Sequence, residues 1–251
     1  MFGYALAFAV LAYASYSDVR TREVSDLVWL AGYPAALALS LFEVSSGTLP
    51  LAALLASVGF SVCASAALLR LGLFGGADAL ALTFIGLAAP AYPRGLPLAE
   101  DPLRLPVFAT LCNASLLGLA SPITVFALNL ADVLRGRNPL RGIEVDFWGA
   151  LVLLFTARRV SLERIMSGLQ YFPAERLVEK DGRPVRTPVY FVRAEADVST
   201  MARHMAEHGE LYSDGVLASP TLPMIAFLLA GLALTLLGNI ALLIMRALPT
   251  F

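Results

Sequence analysis

Long apolar runs separated by short polar stretches make up most of the 251-residue chain. A membrane-spanning helix needs about 20 predominantly apolar residues. Six runs approach this length, although some are short at their edges and the fourth is bounded by proline: residues 2–17, 27–42, 49–69, 79–92, 105–134 and 217–245. The pattern predicts an all-α polytopic membrane protein with about six transmembrane helices.

The stretch between the fifth and sixth runs has a different character. Residues 135–215 contain 12 basic and 11 acidic side chains, about 28% of their positions, whereas the remaining 170 residues contain 6 and 8, about 8%. Within this stretch, residues 147–157 form an apolar run too short to cross a bilayer, which is typical of an interfacial helix. Asp181-Gly182 indicates a hairpin turn between two strands, and residues 198–207 have a helical pattern.

These patterns divide the chain into three parts. Residues 1–134 are predicted to hold five transmembrane helices, residues 135–215 a small cytoplasmic α+β module, and residues 216–251 the sixth transmembrane helix. With the N-terminus outside, 15 of the 18 basic residues lie on the cytoplasmic side, in agreement with the excess of Lys and Arg in cytoplasmic loops. We therefore expect a multi-pass protein of the cell membrane with its N-terminus outside and its insert in the cytoplasm.

The overall composition supports this interpretation. The chain is 58% hydrophobic and 15% charged, with a mean hydropathy of +0.74, whereas soluble domains are about 25% charged. A soluble protein of this composition would expose large apolar patches to water. The formal net charge of −1 provides no general attraction for nucleic acid, so the expected surroundings are membrane lipid.

Two acidic side chains lie at the same predicted membrane face. Asp18 ends the first run and Asp78 opens the fourth, so both reach the cytoplasmic boundary. Charges at membrane depth are costly and point to a function. Two carboxyl groups in close contact share a proton, because both cannot ionise cheaply. Such a pair can activate water and polarise a peptide carbonyl, which hydrolyses a peptide bond without a metal, a cofactor or a covalent intermediate.

The residues before Asp78 allow close approach of a substrate. Gly75, Gly76 and Ala77 have little or no side chain, and glycine tolerates unusual dihedral angles. The alternative is purely structural: the small residues form a turn, Asp78 caps the fourth helix, and Asp18 anchors the first helix at the interface. The joint placement of the two acids at one depth favours the catalytic interpretation.

These residues resemble a known family of membrane aspartyl proteases. Gly75-Gly76-Ala77-Asp78 is similar to the GxGD signature, and the segment from Asp18 through Arg22-Glu23 resembles the region after the first span of prepilin peptidases. A third segment is similar to the Pro-hydrophobic-Pro motif of archaeal members and opens the last predicted span: Pro220, Leu222 and Pro223. Together they resemble the archaeal preflagellin and prepilin peptidase branch.

The resemblance implies a concrete function. The protein would be an aspartic endopeptidase with Asp18 and Asp78 as catalytic residues, acting on a pilin-like or flagellin precursor whose leader is cleaved at the cytoplasmic membrane boundary. The segment from Pro220 to Pro223 would help shape the substrate groove. The signature has Ala77 where many members have glycine, and the cysteine pairs of the bacterial zinc-bound subdomain are absent, so neither that subdomain nor the bacterial methyltransferase activity is expected.

Two further groups of polar residues have competing interpretations. Asp132 lies near the cytoplasmic end of the fifth run and either eases the exit of the chain from the bilayer or supports the aspartate pair. His204 and His208 fit a metallopeptidase pattern, H-x-x-E-H, around Glu207. A solvated helix face is the preferred interpretation of the histidines, and no metal site is expected.

Other functions remain open from the residues alone. An ion- or proton-coupled transporter could use the same acid pair as a cation site, but the two halves of the chain contain no evident inverted repeat of the kind that transporters often have. A non-catalytic scaffold that presents the cytoplasmic module is the third possibility, and it predicts that both aspartates are dispensable.

Overall fold

The computed structural model describes residues 2–93, 103–166, 171–180, 183–190 and 198–247. Most of them are helical. The chain divides into two compact units, the first formed by Met1–Gly118 and Pro223–Phe251 and the second by Leu119–Leu222. The boundaries of the predicted cytoplasmic insert, 135 and 215, stay a prediction.

The elements follow one another in the order predicted for a membrane protein with a mixed insert. The helices are α1 (Phe2–Thr21), α2 (Asp26–Ser45), α3 (Leu51–Arg70), α4 (Gly76–Ala88), α5 (Pro106–Gly118), α6 (Ala120–Leu134), α7 (Phe147–Thr156), α8 (Leu162–Met166), α9 (Val198–Glu207), α10 (Met224–Thr235) and α11 (Ile240–Ala247). The strands are β1 (Arg158–Val160), β2 (Tyr171–Pro173), β3 (Glu175–Lys180), β4 (Arg183–Pro188) and β5 (Val216–Pro220).

In the first unit, small side chains allow the helices to approach closely. α1 packs against α2, α4 and α10, and α5 packs against α10. A Cβ atom added at Gly231 of α10 would lie 2.6 Å from the backbone oxygen of Thr110 on α5, so the two helices are nearly in backbone contact. Small residues at such interfaces are typical of membrane helices, whose association depends on close packing.

Three helical segments among the described residues are long and apolar enough to cross a membrane. They are Asp26–Ser45, Leu51–Arg70 and Pro106–Leu134, the last combining α5 and α6. α4, α7 and α10 are apolar but shorter. The prediction of a helical, multi-pass membrane protein is confirmed, and the count of six transmembrane helices stays a prediction.

The last apolar run differs from the single helix that was expected over residues 217–245. Its first residues form β5 of the second unit, α10 begins only at Met224, and a turn separates α10 from α11. A buried polar cluster accompanies this turn: Asn113 of α5 donates a hydrogen bond to the backbone oxygen of Gly238 at 3.1 Å. A buried strand is as apolar as a membrane helix, so composition alone does not separate them.

The second unit contains a small sheet module, and it also includes α6, which belongs to the predicted fifth span. β5 lies between β1 and β2 in an antiparallel three-stranded sheet, and β3 and β4 form an antiparallel hairpin in which Lys180 pairs with Arg183. The predicted turn residues, Asp181 and Gly182, lie outside the described residues. The short apolar helix is confirmed as α7, and the helix expected over residues 198–207 is α9.

Candidate active site

Asp18 lies in the last turn of α1, three residues before the helix ends at Thr21. Its carboxylate Oδ2 is 3.9 Å from Nη1 of Arg22, one helical turn later, and the two side chains are 16% and 20% exposed. Within the described part of the chain, this buried Oδ2 accepts no hydrogen bond. Asp18 is therefore held near a positive charge, while one of its oxygens remains available to another donor.

Arg22 has a backbone conformation that non-glycine residues seldom adopt. Its φ angle is +58°, in the left-handed region, and its amide donates to the carbonyl oxygen of Asp18 at 2.9 Å. Residues held in this region often belong to functional sites. The conformation ends α1 with the guanidinium of Arg22 directed back toward the carboxyl group of Asp18.

Asp78 lies in the first turn of α4 and contacts the small residues that precede it. Its Oδ2 accepts a hydrogen bond from the backbone amide of Gly75 at 3.0 Å. The helix is tied to its neighbour α3 at the same level, because the hydroxyl of Ser65 donates to the carbonyl oxygen of Ala79 at 3.2 Å. Gly75 is the N-cap residue, and Asp78, at the third position of the helix, caps the first turn by accepting the amide hydrogen of Gly75, as the structural alternative expects.

The packing of α1 against α4 brings the two aspartates within electrostatic range of each other. The carboxyl group of Asp78 interacts electrostatically with both Asp18 and Arg22, although Asp18 and Asp78 are 60 residues apart in the sequence. Phe74, just before the glycines, is 4% exposed and belongs to the same hydrophobic core as α1 and α4. Burial of Phe74 anchors the connection that carries Asp78.

The two glycines supply space rather than unusual backbone geometry. Gly75 has φ −82°, which any residue adopts. A Cβ atom at Gly75 would lie 3.6 Å from Oδ2 of Asp78, and one at Gly76 would meet nothing within 4 Å. Gly75, which caps α4, and Gly76 and Ala77, which begin it, thus leave room beside the carboxyl group of Asp78, and their role at an active site stays a prediction.

Arg22 was not singled out from the sequence as a site residue. The signal was its spacing of four residues from Asp18, which puts both side chains on one helix face. Nearby Arg20 is exposed and donates instead to the hydroxyl group of Tyr16. Spacing favours Arg22 over Arg20, which is only two residues after Asp18, but the positive φ angle of Arg22 appears only in the folded chain.

The other predicted site residues lie in different surroundings. Asp132 belongs to the second unit and lies 3.6 Å from Nη1 of Arg137. Pro220 ends β5 opposite Tyr171, Leu222 is exposed, and Pro223 caps α10. A supporting role for Asp132 and a groove formed by the proline segment stay predictions.

The histidine pair forms no cluster with other metal-binding side chains in the described residues. The ring centroids of His204, on α9, and His208, the residue after α9, are 5.3 Å apart. No group of three His, Cys, Asp or Glu side chains comes together in the parts of the chain that the structure describes. The expectation that the protein works without a metal or cofactor stays a prediction.

A cavity in the first unit lies away from the aspartates. It has a volume of about 240 Å³ and is lined by the start of α1, the end of α2 and the residues after α4, including Tyr4, Glu43 and Tyr92. Asp18 and Asp78 lie at the opposite ends of α1 and α4. The candidate site is therefore defined by its carboxyl groups and not by this cavity.

Comparison with known families finds a match for the segment that carries both aspartates. Residues 5–123 match the model of the type IV leader peptidase family. Over this segment the chain is prepilin peptidase-like. The matched segment contains Asp18, Arg22 and Asp78, and it ends before Asp132. No match was found among curated proteins.

The match confirms the coarse function expected from the sequence. The family consists of leader peptidases of the aspartic type, which act on precursor proteins, and this favours a protease over a transporter. The match does not distinguish archaeal from other members, so the archaeal branch stays a prediction.

Proposed function

We propose that the protein is a membrane aspartyl endopeptidase that removes the leader peptide from archaeal preflagellin or pilin-like precursors. The observation that carries the proposal is the packing of α1 against α4 within one unit, which brings the carboxyl groups of Asp18 and Asp78 within electrostatic range of each other. Two interacting carboxyl groups titrate as a pair and share a proton, which is the state required for acid–base hydrolysis.

The reaction follows from the two states of the pair. The ionised carboxylate takes a proton from water as the water oxygen bonds to the scissile carbonyl carbon, and the protonated carboxyl group donates to the carbonyl oxygen. The carbon–nitrogen bond then breaks as the nitrogen of the leaving amine accepts a proton from the pair. Arg22, next to Asp18, favours that side chain as the ionised member, because an adjacent positive charge stabilises a carboxylate.

The position of the pair suits a substrate that enters from the membrane. Asp18 ends α1 and Asp78 begins α4, and with the N-terminus outside both lie at the cytoplasmic boundary. A pilin-like precursor has a cytoplasmic leader followed by an apolar helix, so its scissile bond lies at the same boundary. The open space beside Gly75 and Gly76 would accommodate the extended strand around that bond.

Cleavage by the two single asparagine variants tests the proposal. Membranes containing wild-type protein, Asp18→Asn or Asp78→Asn are incubated with a flagellin-type or pilin-type precursor, and the leader-free product is measured. We expect each variant to lose about 10²- to 10⁴-fold in rate, the usual contribution of a general acid or base. Asp26→Asn is the matched control, since Asp26 is an exposed acid at the start of α2.

Retained turnover in either variant, at wild-type levels of inserted protein, would reject the proposal. The same variants in proteoliposomes test the transporter alternative. The transporter would be favoured if the wild type carried an ion flux without any proteolysis and the two asparagine variants lost that flux.

A further inference from the structure

α7 has an apolar surface on its exposed side as well as on its buried side. Gly149 and Leu153 are buried, and Leu153 belongs to a hydrophobic cluster of the second unit. The opposite side exposes five large apolar side chains at helical spacing, from 36% to 75%: Phe147, Trp148, Leu151, Val152 and Phe155. A helix that is apolar all round is normally buried in a protein core or in a membrane.

α6 holds α7 beside the end of a membrane span. The amide nitrogen of Asn129 donates to the carbonyl oxygens of Leu154 and Ala157 at 2.8 and 2.7 Å, which satisfies the C-terminal end of α7. The rings of Phe126 and Phe155 stack with centroids 4.3 Å apart. If the candidate span Pro106–Leu134 crosses the membrane, α6 ends at one membrane face and these contacts hold α7 beside it.

The length and ends of α7 exclude a transmembrane position. Ten residues of helix extend about 15 Å, which is half of the hydrocarbon thickness of about 30 Å. Asp146 caps the first turn by accepting from the amide of Gly149 at 3.1 Å, and Arg158 begins β1 directly after the helix. A polar group at each end and an apolar side between them suit a helix that lies along the bilayer surface.

The connection between α6 and α7 supplies positive charge. Residues 135–146 contain three exposed arginines, Arg135, Arg137 and Arg141, against two acids, one of which is the helix cap; Arg137 lies 3.6 Å from Asp132 of α6, which leaves Arg135 and Arg141 as the main source of positive charge. Arginines next to an interfacial helix attract anionic lipid headgroups. Trp148 is an aromatic of the kind that concentrates at the membrane–water interface.

We propose that α7 is a monotopic anchor, whose exposed side, defined by Phe147, Trp148, Leu151, Val152 and Phe155, inserts into the interfacial region of a bilayer containing anionic lipid. The anchor fixes the second unit to the membrane surface by a contact separate from the chain connections. This inference does not depend on the catalytic proposal, because it concerns a surface that contains neither Asp18 nor Asp78.

The chain offers a direct spectroscopic test, since it contains two tryptophans. Trp29 is 4% exposed and packs against Phe84, so Trp29→Phe leaves Trp148 as a single reporter in the full-length protein. The protein is reconstituted into vesicles of phosphatidylcholine and phosphatidylglycerol. We expect lipid brominated near the headgroup to quench most of the Trp148 emission, lipid brominated near the bilayer centre to quench less, and aqueous acrylamide to quench little.

A matched reporter and a surface variant complete the experiment. In the Trp29→Phe/Trp148→Phe background, Val178→Trp places a tryptophan at an exposed site of β3, where acrylamide should quench and brominated lipid should not. In the Trp148 reporter, Phe147→Ser/Val152→Ser should reduce quenching by brominated lipid and increase quenching by acrylamide. The thermal midpoint should remain unchanged, because both side chains are exposed.

Each other result would overturn the proposal. Strong acrylamide quenching of Trp148 without lipid quenching would show a water-exposed helix. Protection from both quenchers would show that protein, from the same chain or a second copy, covers this surface. Stronger quenching from the bilayer centre than from the headgroup level would show a deeply inserted helix instead of an interfacial one.

Discussion

Some charged side chains of this protein stabilise the fold, and others position the candidate catalytic groups. Arg22 combines a left-handed backbone, low exposure and a position next to Asp18. The charge of Asp18 would otherwise be costly to bury, since desolvation disfavours the ionised form. Arg22 is therefore expected to act on the reaction through Asp18, as a positioning residue.

Replacing Arg22 should reduce leader cleavage while leaving the protein folded. We expect Arg22→Gln to lower kcat/KM about tenfold or more, equivalent to about 1.4 kcal/mol, mainly through kcat. Arg22→Lys should recover part of the loss because it restores the positive charge. Arg20→Gln is the control, since Arg20 is exposed and contacts Tyr16. Equal losses for the two glutamine variants would contradict a specific role for Arg22.

A buried ion network holds the second unit together. Glu175 is fully buried and accepts two hydrogen bonds from Arg186 at 2.7 Å and one from the amide of Leu217 at 2.6 Å. Nη1 of Arg186 also donates to Asp214 at 2.8 Å. Burial alone would lower the pKa of Arg186, but the hydrogen bonds that Arg186 donates to the carboxylates of Glu175 and Asp214 outweigh it and raise that pKa. Arg186 therefore remains charged at any pH at which the protein is studied.

Breaking this network on one side should unfold the second unit at a lower temperature. Glu175→Gln leaves the charge of Arg186 poorly compensated, and losing one partner of a buried pair costs about 3–5 kcal/mol. We expect a lower thermal midpoint and faster proteolysis within the second unit. Glu144→Gln is the control, because Glu144 and Lys180 form an exposed pair that should contribute little. A wild-type midpoint for Glu175→Gln would reject the argument.

Contacts between helices depend on where small residues lie. Gly231 of α10 faces the backbone of α5, whereas a Cβ atom at Gly59 of α3 would meet nothing within 4 Å. The same substitution therefore has opposite effects at the two positions. In an open helix position, alanine is about 1 kcal/mol better than glycine.

Gly231→Ala should destabilise the first unit by about 1–3 kcal/mol, the usual cost of overpacking. The added methyl group would meet the carbonyl oxygen of Thr110 and the amide of Ala114, which are backbone atoms that cannot rotate away. Gly59→Ala should leave the unit equally or more stable. Thermal unfolding in detergent measures both variants, and a midpoint for Gly231→Ala at or above that of Gly59→Ala would contradict the packing described for α5 and α10.

Elements with local signals could be predicted, and elements that depend on distant partners could not. α9 has the predicted bounds and the β3–β4 hairpin flanks the predicted turn, because periodicity and turn residues are local. β5 was assigned to a membrane helix, since its apolar residues carry no information about pairing with β1 and β2. Likewise the acids could be picked out by their rarity, but the positive φ angle of Arg22 depends on the folded turn.

At the scale of the whole molecule, the sequence predicts an orientation in the membrane with the N-terminus outside. With Cys63 and Cys112 replaced by alanine, Ser46→Cys after α2 and Glu179→Cys on β3 provide two reporters for a membrane-impermeant maleimide. An outside N-terminus places Ser46 outside and Glu179 in the cytoplasm. We therefore expect Ser46→Cys to react in intact cells and Glu179→Cys to react only after permeabilisation. The reverse pattern would invert the topology and remove the aspartate pair from the cytoplasmic face.

The division of the first unit between two parts of the chain has a consequence for biosynthesis. α5 has its most extensive packing with α10, yet the whole second unit, Leu119–Leu222, is translated between them. Until α10 and the turn after it leave the ribosome, α5 lies in the translocon or the bilayer without two of its hydrogen-bond partners. These are Thr235 for Thr110 and the carbonyl oxygen of Gly238 for Asn113. The membrane unit is therefore completed only after the second unit has been translated, and a nascent chain released before Met224 would expose these polar side chains to quality-control proteases.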